Sequence, residues 1–401
     1  MSSVTSSSAS VHRGTAVAYV VFAFTLGMAW FVLAPLVPDL IHHLQSSLSS
    51  ILLFVSLYGF AMIVFSLPAA WWAKKSGVSP VLRTAVLLSV VGLGVRIFSS
   101  SYALFFVAQA VAAIAYPFLI SPVGAVLRQA GLVRWRAVTG LTIGLLFLGM
   151  SVGAFLGPRL AAVFGLTGTL TFVFAVNLVA GIFLFATAGR LQQSAPDATS
   201  TATSRVVFGS PRWWWIGLAI AATSVMFGGI AVSALSHQHL SNAAALGSLL
   251  TALNFLGSAI GAILFAWLAD TFGHPRAWLW TLLALTTIFT AMVTLALTGA
   301  WLTGPGVLKI VFLLLGLFGN GTYALALAAT GAASREALGA GVQTAGFSMA
   351  SNVGVALLPP LLGPLVLTQP TTFAIVTIGI LVLALINLAL VHKQSDRLTA
   401  T

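Results

Sequence analysis

The sequence predicts an all-α membrane protein with twelve transmembrane helices, and three observations support this fold class. Hydrophobic residues make up 59% of the 401 positions and charged residues only 5%, whereas about 25% of the residues in a typical soluble domain are charged. Apolar runs of roughly 20 to 30 residues recur along the chain, and each can cross a hydrocarbon core of about 30 Å. The runs lack the alternation of a barrel wall, so helices are expected.

The apolar runs define the predicted spans in chain order. The first six are at residues 14–41, 47–73, 80–99, 102–127, 136–164 and 168–190. Six more follow at residues 211–237, 242–270, 275–300, 305–333, 338–366 and 370–392.

The longest polar interruption, residues 191–210, divides these spans into two sets of six. It is rich in Ser, Thr, Ala and Pro, which is typical of a flexible linker. We therefore expect two six-helix bundles, at 14–190 and 211–393, joined by a cytoplasmic linker at 191–210. Cytoplasmic tails are expected at 1–13 and 394–401, and the polar start of the first tail predicts disorder.

The net charge of +12 is explained by membrane orientation. The basic residues lie at the ends of the apolar runs, and 14 of the 17 fall on one side if the N-terminus is cytoplasmic. The positive-inside rule then places both termini in the cytoplasm. We expect a monomer in a prokaryotic inner membrane, with a lipid bilayer and a small-molecule substrate as its partners. We expect no nucleic acid.

The two predicted bundles resemble each other in sequence. The end of span 2, Ala70–Gly77, matches the end of span 8, Ala266–Gly273, at an offset of 196 positions. Two further pairs occupy corresponding places, namely Gly157-Pro158 with Gly363-Pro364 and Tyr116 with Tyr323. These pairs predict a duplicated arrangement of six plus six helices.

A duplicated bundle with a long central loop resembles the major facilitator superfamily over essentially the whole chain. That family carries a Gly-x-x-x-Asp-Arg-x-Gly loop after spans 2 and 8. The resemblance implies a secondary transporter that works by alternating access, in which the acidic residue of this loop pairs with a neighbouring helix end. The second copy here keeps Asp270 and Gly273, and the first keeps Gly77 but has Lys74 in place of the acid. We predict a gating role for Asp270, with solute binding as the alternative, and a structural role for both glycines.

A second pattern lies in span 5, where Gly144, Gly153 and Gly157-Pro158 precede Ala161-Ala162. It resembles the antiporter motif of the superfamily, although the final pair is Ala-Ala instead of Gly-Gly. Small residues at this spacing let helix backbones approach closely, and Pro158 is expected to bend the helix end. The pattern fits either an exporter or helix packing alone.

Charged residues are predicted to avoid the middle of every span. Asp39 lies at the outer end of span 1, and Arg96 and Arg159 lie near the outer face, although Arg96 could be drawn inward to bind a solute. Four of the seven histidines form pairs at the rim, His42 with His43 and His237 with His239. We therefore expect neither a metal site nor a cofactor. Charged groups are costly inside a membrane and persist there chiefly for function. Because no charged residue is predicted in the middle of a span, we also expect no ionised central site.

Aromatic and amide side chains occupy the predicted midplane instead. Amides facing lipid are unfavourable, so these side chains are expected to line a central cavity or to form hydrogen bonds between helices. The candidate substrate-binding residues are Trp30, Gln109, Tyr116, Asn254, Asn320, Tyr323 and Asn352.

A fainter resemblance concerns about a quarter of the chain. It is similar to the feline leukaemia virus subgroup C receptor family at Gly94-Val95-Arg96, the run from Tyr102 to Gln109, Tyr116-Pro117-Phe118, Phe227-Gly228-Gly229 and Trp30. That resemblance implies choline or haem-related transport. Since aromatic faces attract ammonium groups without a carboxylate, we predict a carrier of a small organic cation or zwitterion.

Two other functions remain open at this stage. The first is an efflux antiporter for drugs or amphipathic metabolites, favoured by the span 5 pattern. The second is a polytopic sensor or membrane enzyme, which would need converging acid, base or metal ligands. Since the spans carry no such set, we expect a transporter and not an enzyme.

Overall fold

The computed structural model describes residues 3–130, 134–191, 211–224, 226, 230–231, 234–235, 238, 242–301, 304–332 and 337–399. The described helices, in chain order, are α1 Ser3–Phe31, α2 Val37–Leu44, α3 Leu48–Ser76, α4 Val78–Ile97, α5 Tyr102–Ile120, α6 Val123–Gln129, α7 Trp135–Ala188, α8 Pro211–Ser224, α9 Ala243–Phe272, α10 Pro275–Leu297, α11 Pro305–Ala332, α12 Ala337–Leu362, α13 Leu365–Thr368 and α14 Pro370–Thr399. Apart from Leu191, the predicted linker lies outside the described residues.

Within the described residues, nine helices are long and apolar enough to cross a membrane. One of them, α7, contains an apolar stretch of 52 residues, more than twice what a bilayer of about 30 Å requires at about 1.5 Å per residue. Since α7 corresponds to two predicted spans, the nine helices account for ten of them. Helices α8 and α12 correspond to the other two of the twelve predicted spans.

Helix α7 turns back on itself at Gly165, which has φ +68° and ψ 179° inside the helical run. The two sides of Gly165 approach neighbouring positions of α1. A Cβ atom on Gly149 would meet the backbone of Phe24, and Asn177 donates to the hydroxyl of Thr25 over 3.1 Å. The run is therefore the predicted spans 5 and 6, and Gly165 supplies a positive φ that other residues rarely adopt.

The predicted span 14–41 is wrong as a single helix. Helix α1 ends at Phe31, residues 32–36 form turns, and α2 begins at Val37. Pro35 and Pro38 explain the break, because proline removes a backbone donor and clashes with the preceding turn. Pro38 instead lies in the first turn of α2, where a missing N–H costs nothing.

The tails and span 4 also differ from the prediction. Helix α1 begins at Ser3, so most of the tail that we expected to be disordered is helical. The final helix likewise continues to Thr399. The predicted span 102–127 is divided into α5 and α6 around Ser121 and Pro122.

The ends of α3 and α9 support the predicted duplication. Each helix stops at a glycine with positive φ, 84° at Gly77 and 71° at Gly273. Both glycines terminate their helices in the same backbone region, which other residues enter at a cost. We call the end of the bundle where α3, α9 and α11 finish and α7 and α12 begin the inner end.

The two halves meet along α7 and α9, which pack closely from the inner end towards the outer third. Cβ atoms on Gly140 and Gly144 would collide with Ala262 and Ile263 of α9. Further out, the hydroxyl of Ser151 donates to the carbonyl of Ala252 over 2.8 Å. The close approach of backbones explains the small residues, because helix association in lipid depends on packing.

The remaining motif glycines of α7, Gly153 and Gly157, pack against the end of the first predicted span. A Cβ on Gly153 would lie 2.6 Å from the carbonyl oxygen of Met28, and one on Gly157 would lie 3.1 Å from that of Val32. Gly144 therefore packs against the second half, whereas Gly153 packs against α1 and Gly157 against the turn that follows α1.

We predict that Gly153→Ala lowers the thermal stability of the purified protein, because the new methyl group has no room beside α1. Overpacking of this kind costs about 1–3 kcal/mol. Gly379→Ala is the matched control, since a Cβ there meets nothing within 4 Å. Melting temperatures measured in detergent test the prediction, and equal values for the two variants would contradict it.

Candidate substrate site

Three aromatic side chains from three helices converge at the end of α1, and we call them the aromatic cluster: Trp30 of α1, Tyr58 of α3 and Tyr116 of α5. The Trp30 and Tyr58 rings stack with centroids 4.3 Å apart and planes inclined by 8°. The Trp30 and Tyr116 rings lie 5.1 Å apart at 56°, so they form a corner with two aromatic walls.

The local structure fixes the orientation of Trp30. Its Nε1 donates to the carbonyl of Val55 in α3 over 2.9 Å, and its side chain is 7% exposed. The proline-induced end of α1 lies one residue beyond, at Phe31. Transporters commonly bind their substrates where a transmembrane helix is interrupted.

Further aromatic side chains connect the cluster to the second half. Phe31 contacts Phe255 of α9 edge to face at 4.3 Å, and Phe147 lies between Phe255 at 6.1 Å and Tyr323 at 6.4 Å. Tyr323 of α11 stacks in turn on Phe347 of α12 at 5.7 Å. The cluster therefore lies at the interface between the two halves.

Tyr116 and Tyr323, the pair expected from the duplication, face each other across this interface. Their hydroxyl groups are near enough to interact, although the Tyr323 oxygen has no partner with hydrogen-bond geometry. The Ser348 hydroxyl nearby is also buried and unpartnered.

Arg96 is a charged group beside the predicted site, as the sequence left possible. Arg96, in the last turn of α4, is 1% exposed. Its Nη1 donates to Gln109 Oε1 over 2.9 Å and approaches the carbonyl oxygen of Ala29, next to Trp30, at 3.4 Å. The sequence placed Arg96 near the outer face by its backbone position, but its long side chain reaches inward.

Gln109 is held between Arg96 and α3. While its oxygen accepts from Arg96, its Nε2 donates to the carbonyl of Phe54 over 3.3 Å. Gln109 therefore reaches the aromatic cluster only indirectly, by orienting Arg96.

The asparagines chosen from the sequence do not join the cluster directly. Asn254 donates to the carbonyl of Phe312 over 3.0 Å, and Asn320 donates to the hydroxyl of Ser258 over 2.8 Å. Both bonds tie α9 to α11. Asn352 donates to a carbonyl of its own helix, that of Ser348, over 2.8 Å. The contacts of these amides fit the alternative role in helix packing.

The sequence pattern did not identify Tyr58 or the phenylalanines that extend the cluster. Tyr58 is one of only five tyrosines, and its place in the middle of span 2 was a signal that could have identified it. The phenylalanines carried no such signal, because the chain has 27 of them. The sequence pattern also did not identify Asn177, which links Ser89 over 2.8 Å with Thr25 over 3.1 Å inside the first half.

Asp270 forms a contact between the halves at the inner end. Its Oδ2 accepts from the backbone N–H of Ala137 over 3.0 Å, in the first turn of α7. A carboxylate there satisfies a donor that the helix leaves free and interacts favourably with the helix dipole. Two further bonds join the halves nearby, from Thr344 to the Ser121 carbonyl over 2.8 Å and from Arg128 to the Gly331 carbonyl over 3.1 Å. These three bonds hold the two halves together at the inner end.

Other predicted features contribute less to the site. Asp39 is exposed on α2, and His43 approaches the carbonyl of Ser99 at 3.3 Å, so both remain at the rim. Arg159 is exposed and lies over the ring of Phe155. His237, His239 and Phe227-Gly228-Gly229 lie outside the described residues.

A sequence profile identifies the protein family of this chain. The profile of the Major Facilitator Superfamily matches residues 19–242, which is more than half of the chain. The chain belongs to the major facilitator superfamily. It is therefore a membrane transporter of that superfamily and not an enzyme.

Solved structures confirm the superfamily fold over nearly the whole length. A bacterial homologue of the iron transporter ferroportin in an outward-facing state superposes with a TM-score of 0.69 at 15% identity, over 94% of this chain and 98% of that chain. The human organic anion transporter MFSD10 (TETRAN) gives 0.69 at 15% identity, over 94% and 99%. Identities this low establish the superfamily fold and leave the substrate undefined. No curated protein sequence matches the chain at a significant level.

We predict that loss of the Asp270 carboxylate opens the inner end of this superfamily transporter. The chain has no cysteine, so Ser121→Cys, buried between the halves, supplies a single reporter for a membrane-impermeant maleimide. A helix-capping bond contributes about 0.5–2 kcal/mol, so Asp270→Ala is expected to raise the labelling rate about two- to thirtyfold, and Asp270→Asn by less.

Asp39→Ala is the control for the Asp270 variants, because it removes an exposed carboxylate that lies away from the inner end. Its labelling rate should match that of the parent reporter protein. An unchanged rate in Asp270→Ala would refute the gating role of Asp270.

Proposed function

We propose that the protein carries a small organic cation or zwitterion across the membrane by alternating access, with the ammonium group held against the aromatic cluster. The observation that supports this most directly is the convergence of Trp30, Tyr58 and Tyr116 from three helices at the interface between the halves. Superfamily membership supports the proposed transport mechanism, and the aromatic cluster supports the proposed class of solute.

Aromatic faces attract ammonium groups through their quadrupole, and tryptophan does so most strongly. The attraction is worth about 2 kcal/mol or more when the partners are removed from water. The Trp30 ring is buried and fixed by its bond to Val55, so little side-chain entropy is lost when a ligand binds. The tilted Tyr116 ring provides the second wall of the corner.

The division of contacts between the halves fits alternating access. Trp30, Tyr58 and Tyr116 all belong to the first half, so their mutual contacts persist when the halves rock. The contacts of Phe31 with Phe255 and of Phe147 with Tyr323 cross the interface, and they must separate. A solute held by the cluster would therefore stay with the first half while access changes from one side to the other.

Proton coupling is not part of this proposal. The described residues place no carboxylate and no histidine in the aromatic cluster, and the bond from Asp270 to Ala137 lies at the inner end. We propose that the solute gradient drives transport. We also propose that the inner end, which carries Lys74, Lys75 and Arg276, faces the cytoplasm.

Efflux of drugs or amphipathic metabolites is the second candidate function. The glycine pattern of span 5 favours it, and Gly144 does lie at the interface between the halves. The same pattern also serves the packing of α7 against α1 and α9, which any transporter of this fold requires. The proposal of cation or zwitterion transport therefore takes precedence.

Uptake of radiolabelled choline into proteoliposomes tests the proposed function. We expect uptake that follows the choline gradient and persists when an uncoupler removes any proton gradient. Trp30→Ala should reduce uptake more than tenfold, in line with a desolvated cation–π contribution of about 2 kcal/mol, and Trp30→Phe should reduce it less.

Trp280→Ala is the matched control for Trp30, since that tryptophan is 49% exposed on α10 and should leave uptake unchanged. Normal uptake in Trp30→Ala would rule out the aromatic site. Uptake that an uncoupler abolishes, or extrusion of dyes without uptake of any ammonium compound, would favour the efflux antiporter.

A further inference from the structure

We infer that the transported solute also carries a carboxylate, and that Arg96 binds this carboxylate while the aromatic cluster holds the ammonium group. The substrate is then a small zwitterion. This inference rests on the proposed function, because it assigns the second end of the same ligand.

The guanidinium group of Arg96 has one occupied and one unoccupied edge. Its Nη1 contacts Gln109 Oε1 at 2.9 Å and the Ala29 carbonyl oxygen at 3.4 Å. Its Nε and Nη2 are fully buried and have no hydrogen-bond partner. These two donors share one edge of the planar group, which is the geometry that binds a carboxylate through two parallel hydrogen bonds.

A buried and unpaired guanidinium group is costly. Transferring a charge out of water costs several kcal/mol unless an opposite charge and hydrogen bonds compensate for it. Within the described part of the chain, no carboxylate lies at salt-bridge distance from Arg96, and Asp39 is exposed on α2. Neutral partners therefore hold Arg96 in place without balancing its charge, and an acidic group on the solute would balance it.

Tyr58 connects the two parts of the inferred site. Its ring stacks on Trp30, whereas its hydroxyl is buried without a partner and lies within electrostatic range of Arg96. The hydroxyl can donate to the same carboxylate. Since one aromatic side chain joins the two parts, we expect a short solute.

The charge of Arg96 also discriminates between cations and zwitterions. A guanidinium group beside the cluster repels a simple ammonium ion, while it attracts the acidic end of a zwitterion. We therefore expect a zwitterion to bind more tightly than a cation with the same ammonium head. Gln109 is a positioning residue in this arrangement, because it holds one edge of Arg96 and leaves the other edge free.

Three small molecules of nearly equal shape test the ammonium part and the carboxylate part of the site separately. Glycine betaine has a trimethylammonium group and a carboxylate. Choline keeps the trimethylammonium group but has a hydroxymethyl group in place of the carboxylate. The compound 3,3-dimethylbutanoate keeps the carboxylate and replaces the charged nitrogen by carbon. Binding of each probe to purified protein is measured by thermal shift, since a ligand of the folded state raises the melting temperature, and betaine and choline uptake is measured in proteoliposomes.

The wild-type protein should bind betaine at least about tenfold more tightly than choline, as expected for charge-assisted hydrogen bonds. Arg96→Gln should weaken betaine binding by at least about tenfold and leave choline binding unchanged or improved. Arg96→Lys should give an intermediate betaine affinity, because it retains the charge without the two-donor edge. Arg159→Gln is the matched control, since Arg159 is exposed on α7, and it should leave both affinities unchanged.

The outcomes distinguish this inference from the proposed function. Equal binding of betaine and choline, with Arg96→Gln affecting neither, would overturn the carboxylate site while leaving the aromatic site in place. Parallel loss of all probes together with a lower melting temperature in Arg96→Gln would show a structural role for Arg96 and also overturn the inference. Binding of 3,3-dimethylbutanoate that depends on Arg96, without binding of betaine or choline, would instead support the carboxylate site and refute the cation site. Failure of all three probes would refute both.

Discussion

The close contact of α7 with two neighbours is the interaction on which the rest of the structure depends. In lipid, apolar side chains gain little by leaving the solvent, so helices associate through packing and a few hydrogen bonds. Gly153 lets α7 approach α1 within its own half, and Gly140 and Gly144 let it approach α9 of the other half. One helix therefore fixes the position of Trp30 and also forms the surface along which the halves meet.

Polar groups within the bundle divide into two kinds according to their partners. Thr25, Asn177 and Ser89 satisfy one another across helices, so they stabilise the first half and have little capacity left for a ligand. Tyr58 and Arg96, in contrast, retain buried donors without partners. Buried polar groups are nearly always hydrogen-bonded in folded proteins. The unsatisfied donors beside the aromatic cluster are therefore where we propose that a solute binds.

The sequence predicted the class, the twelve spans and the duplication because these follow from long apolar runs, and such runs depend little on tertiary contacts. It failed where local chemistry or side-chain reach decides the outcome. The break after Phe31 follows from two prolines within an apolar run, and hydropathy does not detect such a break. Trp30 and Tyr116 were predicted correctly to lie in the interior, but Asn254 and Asn320 bond between helices, and only the packing of neighbouring helices distinguishes these roles.

Asp270 and Arg96 show why the position of a charged residue along a span is a poor guide to its role. Both lie within a few residues of a helix end, where a charge is normally solvated. Asp270 is paired with a helix N-terminus of the opposite half, so its interaction changes when the halves separate, as a gate requires. Arg96 lies inside one half and has neutral partners on one edge only, so movement of the halves leaves its charge unbalanced unless a ligand is present. We therefore propose that the partners of a charge, more than its depth, distinguish a group that controls access, such as Asp270, from one that selects the solute, such as Arg96.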